Sequence, residues 1–305
     1  MQHGREAMPQ ARNAPGWNIE RVALAPGLYV VATPIGNLAD VTLRALSVLA
    51  SADLVLCEDT RITRRLLDRY GLRPSLLAYH EHNAASVRPR VLAKLGEGET
   101  VALVSDAGTP LVSDPGYKLV EAAIEAGHRI FPVPGASAAL AALVAAGLPT
   151  DRFFFEGFLP AKAGQRRSRI AEIAEIPATL VLYESGPRLA ASLADLATGL
   201  GGRAAAICRE LTKKFEEVRR GTLAQLAAHY RDATEPKGEI VIVIAPPGDD
   251  VEQISANALD EKLRDALKKL SVKDAAEAVA GETGVKRREV YQRALLLAGK
   301  REKKK

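Results

Sequence analysis

The sequence predicts an α/β protein of two domains, followed by a small C-terminal module of three helices. Three observations lead to this fold class. At 305 residues the chain is longer than one typical domain. Short apolar runs alternate with segments of helical periodicity, which is typical of parallel sheets covered by helices. From Asp151 onward the composition changes, because three consecutive phenylalanines and a basic segment follow an alanine-rich run.

Residues 1–26 precede the first strand and are predicted to form a disordered extension, because proline and glycine recur there without a continuous apolar run. The first α/β domain then covers residues 27–134. Its predicted strands are 28–32, 54–57, 101–104 and 129–133. Helices follow the first three strands, and Asp40 is placed to cap the first helix.

The second α/β domain covers residues 135–247. Its predicted strands are 179–183, 204–208 and 240–244, and the predicted helices between them are 188–198 and 223–230. The run Pro246-Pro247-Gly248-Asp249-Asp250 then has the composition of a linker.

The C-terminal module covers residues 255–299. Leucines at helical spacing mark its first helix, and Ser271 with Asp274 has the form of a capping box that opens the second. The third helix is basic, and residues 300–305 continue it as a basic tail. This pattern favours a helix-turn-helix-like unit, with a helical cap or dimerisation element as the alternative.

The composition is that of a soluble globular protein, with 47% hydrophobic and 26% charged residues. No apolar run is long enough to span a membrane, and the N-terminus does not resemble a secretory signal. Cys57 and Cys208 lie far apart without metal-ligand spacing, so we predict neither a disulfide framework nor a metal site. The expected compartment is the cytoplasm.

Basic residues are clustered although the formal net charge is only +5. One cluster consists of Lys162, Arg166, Arg167 and Arg169, and the other lies on the last helix and consists of Lys286, Arg287, Arg288 and Arg293. Such clusters favour a polyanionic partner. The alternative is that each cluster is simply a solvated face.

The stretch VALVSDAGTPLVSDPG, residues 101–116, is a buried strand that ends in a loop of Asp, Gly and Pro. Loops at the carboxyl ends of parallel strands converge on a crevice, so we predict a ligand site here. A pair of ordinary turns is the alternative. Similar loops, TPIGN, CEDTR and PGAS, follow other strands, whereas no Walker loop or Ser-His-Asp order is present.

Seven motifs occur in the order and spacing of a known family: ATPIGNLADVTLRAL, CEDTR, SDAGTPLVSDPG, PGASA, DRFFFEGFLP, YESGPR and RELTKKFEEVRRG. From Gly27 to Pro246 the chain resembles the tetrapyrrole methylase family. SDAGTPLVSDPG and GFLP resemble the subgroup that methylates small-subunit ribosomal RNA and distinguish it from relatives that modify porphyrinoids.

The resemblance implies a two-domain tetrapyrrole-methylase-like (class III methyltransferase) fold that binds S-adenosyl-L-methionine in the cleft between the domains. It also implies a homodimer and transfer of a methyl group to the 2'-hydroxyl of a cytidine in small-subunit (16S) ribosomal RNA within the assembled subunit. The cofactor-binding residues that it implies are Thr33, Pro34, Ile35, Gly36, Asp106, Ala107, Gly108, Thr109, Ser137, Ala138, Tyr183, Arg209, Gly238 and Glu239.

A ribose hydroxyl is a very weak acid, so a proton acceptor is useful at the acceptor oxygen. Our candidates for this base are Glu58, Asp59 and Glu184, and Arg61 or Lys213 could stabilise developing negative charge. Simple ion pairs are the alternative, Glu58 with Arg61 across a loop and Glu210 with Lys213 or Lys214 on a helix. Two other functions stay open, methylation of a tetrapyrrole and RNA binding by a non-catalytic assembly factor.

Overall fold

The computed structural model describes residues 19–248, 256–283 and 287–302. In it, the first domain alternates strands and helices, as the sequence predicts. Its elements are β1 Gly27–Val31, α1 Leu43–Ser51, β2 Leu54–Cys57, α2 Thr60–Arg69, β3 Leu76–Ala78, α3 Ala84–Gly96, β4 Thr100–Leu103, α4 Tyr117–Glu125 and β5 Ile130–Val133. The cap of α1 is Thr42, whose hydroxyl accepts a hydrogen bond from Ala45 N. The prediction for Asp40 is therefore wrong, since this residue ends a short 3-10 turn before the helix.

The five strands of the first sheet are all parallel, in the order β3-β2-β4-β1-β5. β2 and β4 are buried along their whole length, which explains their unbroken apolar sequences. β3 is only three residues long and half-buried, and for this reason its sequence does not stand out as a strand.

Residues 19–26 lie against the first domain, so the predicted disordered extension does not include them. Ile19 and Leu24 pack against its apolar core, and the backbone N–H of Val22 donates to Ser51 Oγ at 2.9 Å. Residues 1–18 lie outside the described residues.

The second domain contains α5 Ala138–Ala146, β6 Phe153–Phe158, α6 Ala163–Ile173, β7 Thr179–Ser185, α7 Gly186–Leu200, β8 Ala204–Arg209, β9 Glu217–Thr222, α8 Leu223–Asp232 and β10 Glu239–Ile244. Its sheet has the order β6-β7-β10-β8-β9. Only β6 and β7 are parallel, and the other neighbours are antiparallel. α5 follows β5 directly and packs against this second sheet.

The C-terminal module consists of α9 Ala256–Ala266, α10 Val272–Thr283 and α11 Arg287–Glu302. Its core is its own and contains Leu263, Val279 and Val290. Ser271 Oγ accepts from Asp274 N at 3.2 Å, as the capping box predicts. Part of the predicted linker, residues 249–255, lies outside the described residues. Among the helices that are described, none has the length and apolar character to cross a membrane.

Candidate active site

The order of the first sheet creates a crevice between β1 and β4. The connections from these neighbouring strands run to opposite sides of the sheet, and such a switch point is where open α/β sheets bind ligands. Two backbone hydrogen bonds join the loops that follow β1 and β4, from Thr33 N to Gly108 O at 2.8 Å and from Gly108 N to Thr33 O at 3.1 Å. Thr33 is buried, and its hydroxyl donates to Ser105 O at 3.1 Å. Thr33 therefore fixes the two loops to each other.

A cavity of about 240 Å³ lies between these loops and the second sheet. Ten of the residues predicted from the sequence line it: Ile35, Asp106, Ala107, Gly108, Thr109, Ser137, Ala138, Tyr183, Glu184 and Glu239. The structure thus brings together residues from the loops after β1, β4 and β5 and from strands β7 and β10.

Eight further residues of the lining are absent from the sequence-based prediction: Val112, Ser113, Asp114, Phe158, Cys208, Leu211, Ile240 and Val241. Three of them belong to the SDAGTPLVSDPG stretch, so extending the predicted site to the end of that motif would have included them. Others come from the antiparallel part of the second sheet, whose pairing the sequence does not reveal. The predicted residues Thr33, Pro34, Gly36, Arg209 and Gly238 are not part of the lining.

Two carboxylates of the first domain, Asp106 and Asp114, line the cavity. Burial raises the pKa of Asp106, and it raises the pKa of Asp114 to about 6. Asp106 Oδ1 accepts a hydrogen bond from the backbone N–H of Asp59 at 3.0 Å. Neither carboxylate forms a salt bridge within the described part of the chain, although the charge of Arg61 acts on Asp106. Both carboxylates are therefore available to pair with a cationic ligand.

An open groove adjoins the cavity and shares Asp106 with it. The groove is lined by Glu58, Asp59, Thr60, Arg61, Ala78, His80, His82 and Asp106. Burial, followed by the nearby charge of Asp106, raises the pKa of Glu58. A proton acceptor on this groove therefore lies next to the cavity without facing into it.

Asp59 and Arg61 are bound to each other in this groove. Arg61 Nη2 lies 2.6 Å from Asp59 Oδ2, and Asp59 also accepts from the backbone N–H of Arg61 at 2.8 Å as the N-cap of α2. These bonds lower the pKa of Asp59 to about 2. The partner of Arg61 is thus Asp59 and not Glu58, and Asp59 is a poor proton acceptor.

Glu184 is buried and bound by its own domain. Its carboxylate accepts hydrogen bonds from Ser185 N at 2.8 Å and Ser192 Oγ at 2.5 Å, and it lies 3.4 Å from Arg188 Nε. All these partners belong to β7 and α7. The arrangement makes Glu184 a structural carboxylate and does not fit the predicted role of general base.

Lys213 joins the two domains at the edge of the cavity. Its ammonium group lies 2.8 Å from Glu210 and 2.7 Å from Glu239, while its stem covers Gly36, where a Cβ would lie 2.5 Å from Lys213 Cγ. Asn37 N donates to Thr212 Oγ1 at 3.1 Å across the same contact. Glycine is needed at position 36 because of this close approach, and Lys213 is held by two carboxylates. The pair with Glu210 does form, but on a turn and not on a helix.

Strained backbone is concentrated in the two loops that face each other across the cavity. Among the described residues, four non-glycine residues have positive φ: Leu111 at 73°, Ser113 at 63°, Glu210 at 50° and Thr212 at 66°. This conformation costs roughly 1–2 kcal/mol per residue. Ser113 lines the cavity, and so does Leu211 between the other two. Both loops are therefore held in a conformation that local preference disfavours.

The predicted RNA-binding arginines are unequal. Arg166 is buried and lies 2.7 Å from Asp195, so its prediction as an RNA contact is wrong. Arg169 pairs with Glu156 at 2.6 Å and with Glu172 at 2.7 Å, whereas Lys162 is exposed at the start of α6. Arg209 is similar to Arg169 in this respect, since it pairs with Glu217 at 3.2 Å.

The basic residues of the last helix are likewise divided between exposed and ion-paired side chains. Arg288 is exposed, but Arg293 lies 2.6 Å from Asp260 and joins α11 to α9. Lys286 and the side chain of Arg287 lie outside the described residues.

Comparison with known proteins identifies the family. The model of the tetrapyrrole (corrin/porphyrin) methylases matches residues 27–227, and the model of the RsmI C-terminal HTH domain matches residues 252–298. A ribosomal RNA small subunit methyltransferase I from Mesorhizobium japonicum is 54% identical over 90% of this chain and 93% of its own length. The protein of that name from Pseudomonas aeruginosa is 49% identical over 90% of this chain and 98% of its own length.

The fold also matches solved structures. A uroporphyrin-III C-methyltransferase from Thermus thermophilus, solved in complex with S-adenosyl homocysteine, aligns with a TM-score of 0.50 and 20% identity. The alignment covers 71% of this chain and 96% of the other. The chain therefore belongs to the tetrapyrrole methylase family, and its relatives within that family are the ribosomal RNA small subunit methyltransferases I.

Proposed function

We propose that this protein transfers a methyl group from S-adenosyl-L-methionine to small-subunit ribosomal RNA, and that the acceptor is the 2'-hydroxyl of a cytidine. One observation carries this proposal. A partly open cavity with two carboxylates that form no salt bridge among the described residues adjoins a more open groove, and Asp106 lines both. This arrangement fits a small cationic donor in the cavity and a large acceptor in the groove.

The chemistry of the lining fits this cofactor. Asp106 and Asp114 complement a sulfonium and an amino group, while the backbone of residues 107–109 and Ser137 offers hydrogen-bonding groups. Val241, with the half-buried ring of Tyr183, offers an apolar surface for an adenine. When bound, S-adenosylmethionine supplies an activated methyl group, and the protein's task is to align the acceptor oxygen.

Among the three predicted bases, Glu58 is the one that we propose as the proton acceptor. Asp59 is ionised and bound to Arg61, and Glu184 is buried among its own hydrogen bonds. Glu58 lines the groove beside Asp106, and burial raises its pKa, which increases its strength as a base. We propose that Arg61, exposed at the rim, contacts the RNA backbone.

The relatives' names refer to the small ribosomal subunit, which supports ribosomal RNA as the substrate. We propose further that the assembled subunit is the form recognised, through Lys162, Arg167, Arg288 and the basic tail, and that the protein acts as a cytoplasmic homodimer. Leu140 and Val144 lie one turn apart on α5 and are exposed, as expected for part of a dimer contact. Light scattering of the purified protein tests the dimer.

The decisive experiment is mass-spectrometric mapping of ribose methylation in ribosomal RNA from cells with and without this protein. We expect one 2'-O-methylcytidine in the small subunit to disappear with the gene and to return with the wild-type copy. Purified protein, S-adenosylmethionine and small subunits from the deletion strain should restore the same mark. An unchanged map would contradict the proposal, and a mark on a base atom would contradict its 2'-hydroxyl part.

A further inference from the structure

An exposed aromatic side chain lies on the turn between β8 and β9, close in sequence to residues that line the cavity. Phe215 is 65% exposed, although burying a phenylalanine is worth about 1.5–3 kcal/mol. We propose that Phe215 is a stacking platform for an unpaired base of the RNA substrate, next to the cytidine that is methylated. This inference rests on the proposed function and adds to it a residue that selects and positions the substrate.

The turn that carries Phe215 is rigid. Glu216 Oε2 accepts from Thr212 N at 2.6 Å, and the backbone N–H of Glu216 donates to Lys213 O at 3.1 Å. Lys213 N in turn donates to Glu210 O at 3.0 Å. An exposed ring on such a braced turn loses little conformational freedom when it binds, which is the condition for an efficient contact.

The same turn forms part of the cavity wall. Leu211, four residues before Phe215, lines the cavity. Lys213, two residues before it, contacts Glu239, which also lines the cavity, and covers Gly36 of the first domain. These contacts place the turn that carries Phe215 beside the cavity.

The charge beside the ring favours RNA over a protein partner. Lys214 Nζ lies 5.5 Å from the centroid of the Phe215 ring, and Lys214 forms no salt bridge among the residues that the structure describes. A free cation next to an exposed ring provides a phosphate contact beside a stacking surface, the combination that single-stranded RNA sites use.

The proposed reaction requires such a contact. A 2'-hydroxyl can be aligned with a donor inside a cavity only if its nucleotide leaves the regular stack, and the flanking base then loses a stacking neighbour. An aromatic ring beside the cavity replaces that neighbour. Base–aromatic stacking is worth about 1–3 kcal/mol per base, and it is tolerant of sequence because every base has a π-face.

The first test compares four variants in methyl transfer to small subunits from the deletion strain. We expect Phe215→Ala to raise KM for the subunit by about five- to hundredfold, with unchanged affinity for S-adenosylmethionine by calorimetry. Phe215→Trp should restore KM, whereas Phe215→Leu, which keeps apolar volume without a π-face, should not. The matched control is Phe153→Ala. Phe153 is also exposed, at 45%, but it begins β6, whereas Phe158, which lines the cavity, ends that strand.

The second test measures stacking without activity. Trp17 is the chain's one tryptophan, so Trp17→Phe combined with Phe215→Trp places a single fluorophore on the turn. We expect small subunits from the deletion strain to quench its emission, and to quench a Phe153→Trp counterpart far less.

Three outcomes overturn the inference while leaving the proposed function intact. The first is that the wild-type protein is active and Phe215→Ala has the same KM. The second is that Phe215→Leu restores KM as well as Phe215→Trp does. The third is that the tryptophan at position 215 is not quenched at concentrations where the subunit binds. A change of oligomeric state in Phe215→Ala, measured by light scattering, would assign the ring to a contact between copies instead. If the wild-type protein methylates no RNA, it is the proposed function that fails.

Discussion

The two walls of the cavity use the same residue types in opposite ways. On the first-domain wall, Asp106 and Asp114 are partly desolvated and form no salt bridge within the described residues. On the second-domain wall, Glu184 is satisfied by Ser192 and Arg188, and Glu239 by Lys213. Carboxylates on the first wall are therefore available to a cationic ligand, whereas those on the second wall hold the protein together.

The largest effect that this comparison predicts is on cofactor affinity from the first wall. Asp106→Ala should weaken binding of S-adenosylmethionine by about tenfold to hundredfold, since a hydrogen bond to a charged group is worth about 1.5–3 kcal/mol. Calorimetry measures the affinity and circular dichroism the fold. Glu239→Ala is the matched control on the second wall and should change the affinity by less than threefold. Equal effects of the two variants would remove the distinction between the walls.

A carboxylate of the second wall should instead affect stability. Glu184→Ala leaves the hydroxyl of Ser192 and the guanidinium of Arg188 without their acceptor, which should lower the free energy of unfolding by about 1–3 kcal/mol. Urea denaturation measures this, and Glu184→Gln, which keeps an acceptor, should lose less. A stable Glu184→Ala protein that binds the cofactor but transfers no methyl group would return Glu184 to the list of bases.

A smaller effect follows from the pKa of Asp114, which burial raises to about 6. The ionised form attracts a cation, so affinity for S-adenosylmethionine should be at its full value above pH 7. As the pH falls through about 6, Asp114 takes up a proton and affinity should drop by up to about tenfold at pH 5. Glu58, Asp106 and Tyr183 are the titratable groups whose charge acts on or near Asp114. Calorimetry from pH 5 to 8 measures the drop. Asp114→Asn should bind S-adenosylmethionine more weakly at pH 8, and its affinity should change less with pH.

The smallest effect on cofactor affinity should come from removal of the C-terminal module. A protein that ends after Pro247 should keep its affinity for S-adenosylmethionine, because none of the described residues after Val241 lines the cavity. Its binding to the small subunit should weaken and depend less on salt, since fewer counterions are released. Loss of cofactor binding on truncation would mean that the cavity depends on the module.

The sequence predicted part of the first wall, because its residues follow one another in strand-end loops, but the prediction stopped short of Asp114. Parallel strands place such loops at one edge, so SDAGTP and PGAS predict Asp106 and Ser137 without knowledge of the packing. The second wall was less predictable. Cys208 and Val241 are partners in the antiparallel pairing of β8 with β10, which brings both residues to the cavity. The sequence of β9, EVRRGT, is polar and is not typical of a strand.

Charge was the least predictable property from sequence. Arg166, Arg167 and Arg169 are neighbours in a basic run, yet burial and the ion pair with Asp195 remove Arg166 from the surface. Acidic partners such as Asp195 come from other elements, 29 residues away in this case. A basic cluster in sequence therefore overestimates the positive charge that a polyanion can reach.

The single covalent crossing between the two sheets gives the cavity a mechanical property. Within residues 19–248 the chain passes from β5 to α5 once, and Ser137 and Ala138 at that crossing are themselves part of the cavity wall. A ligand held there would contact both domains and the segment that joins them. Binding at this position is therefore linked to domain orientation only through the difference in the ligand's affinity for each orientation.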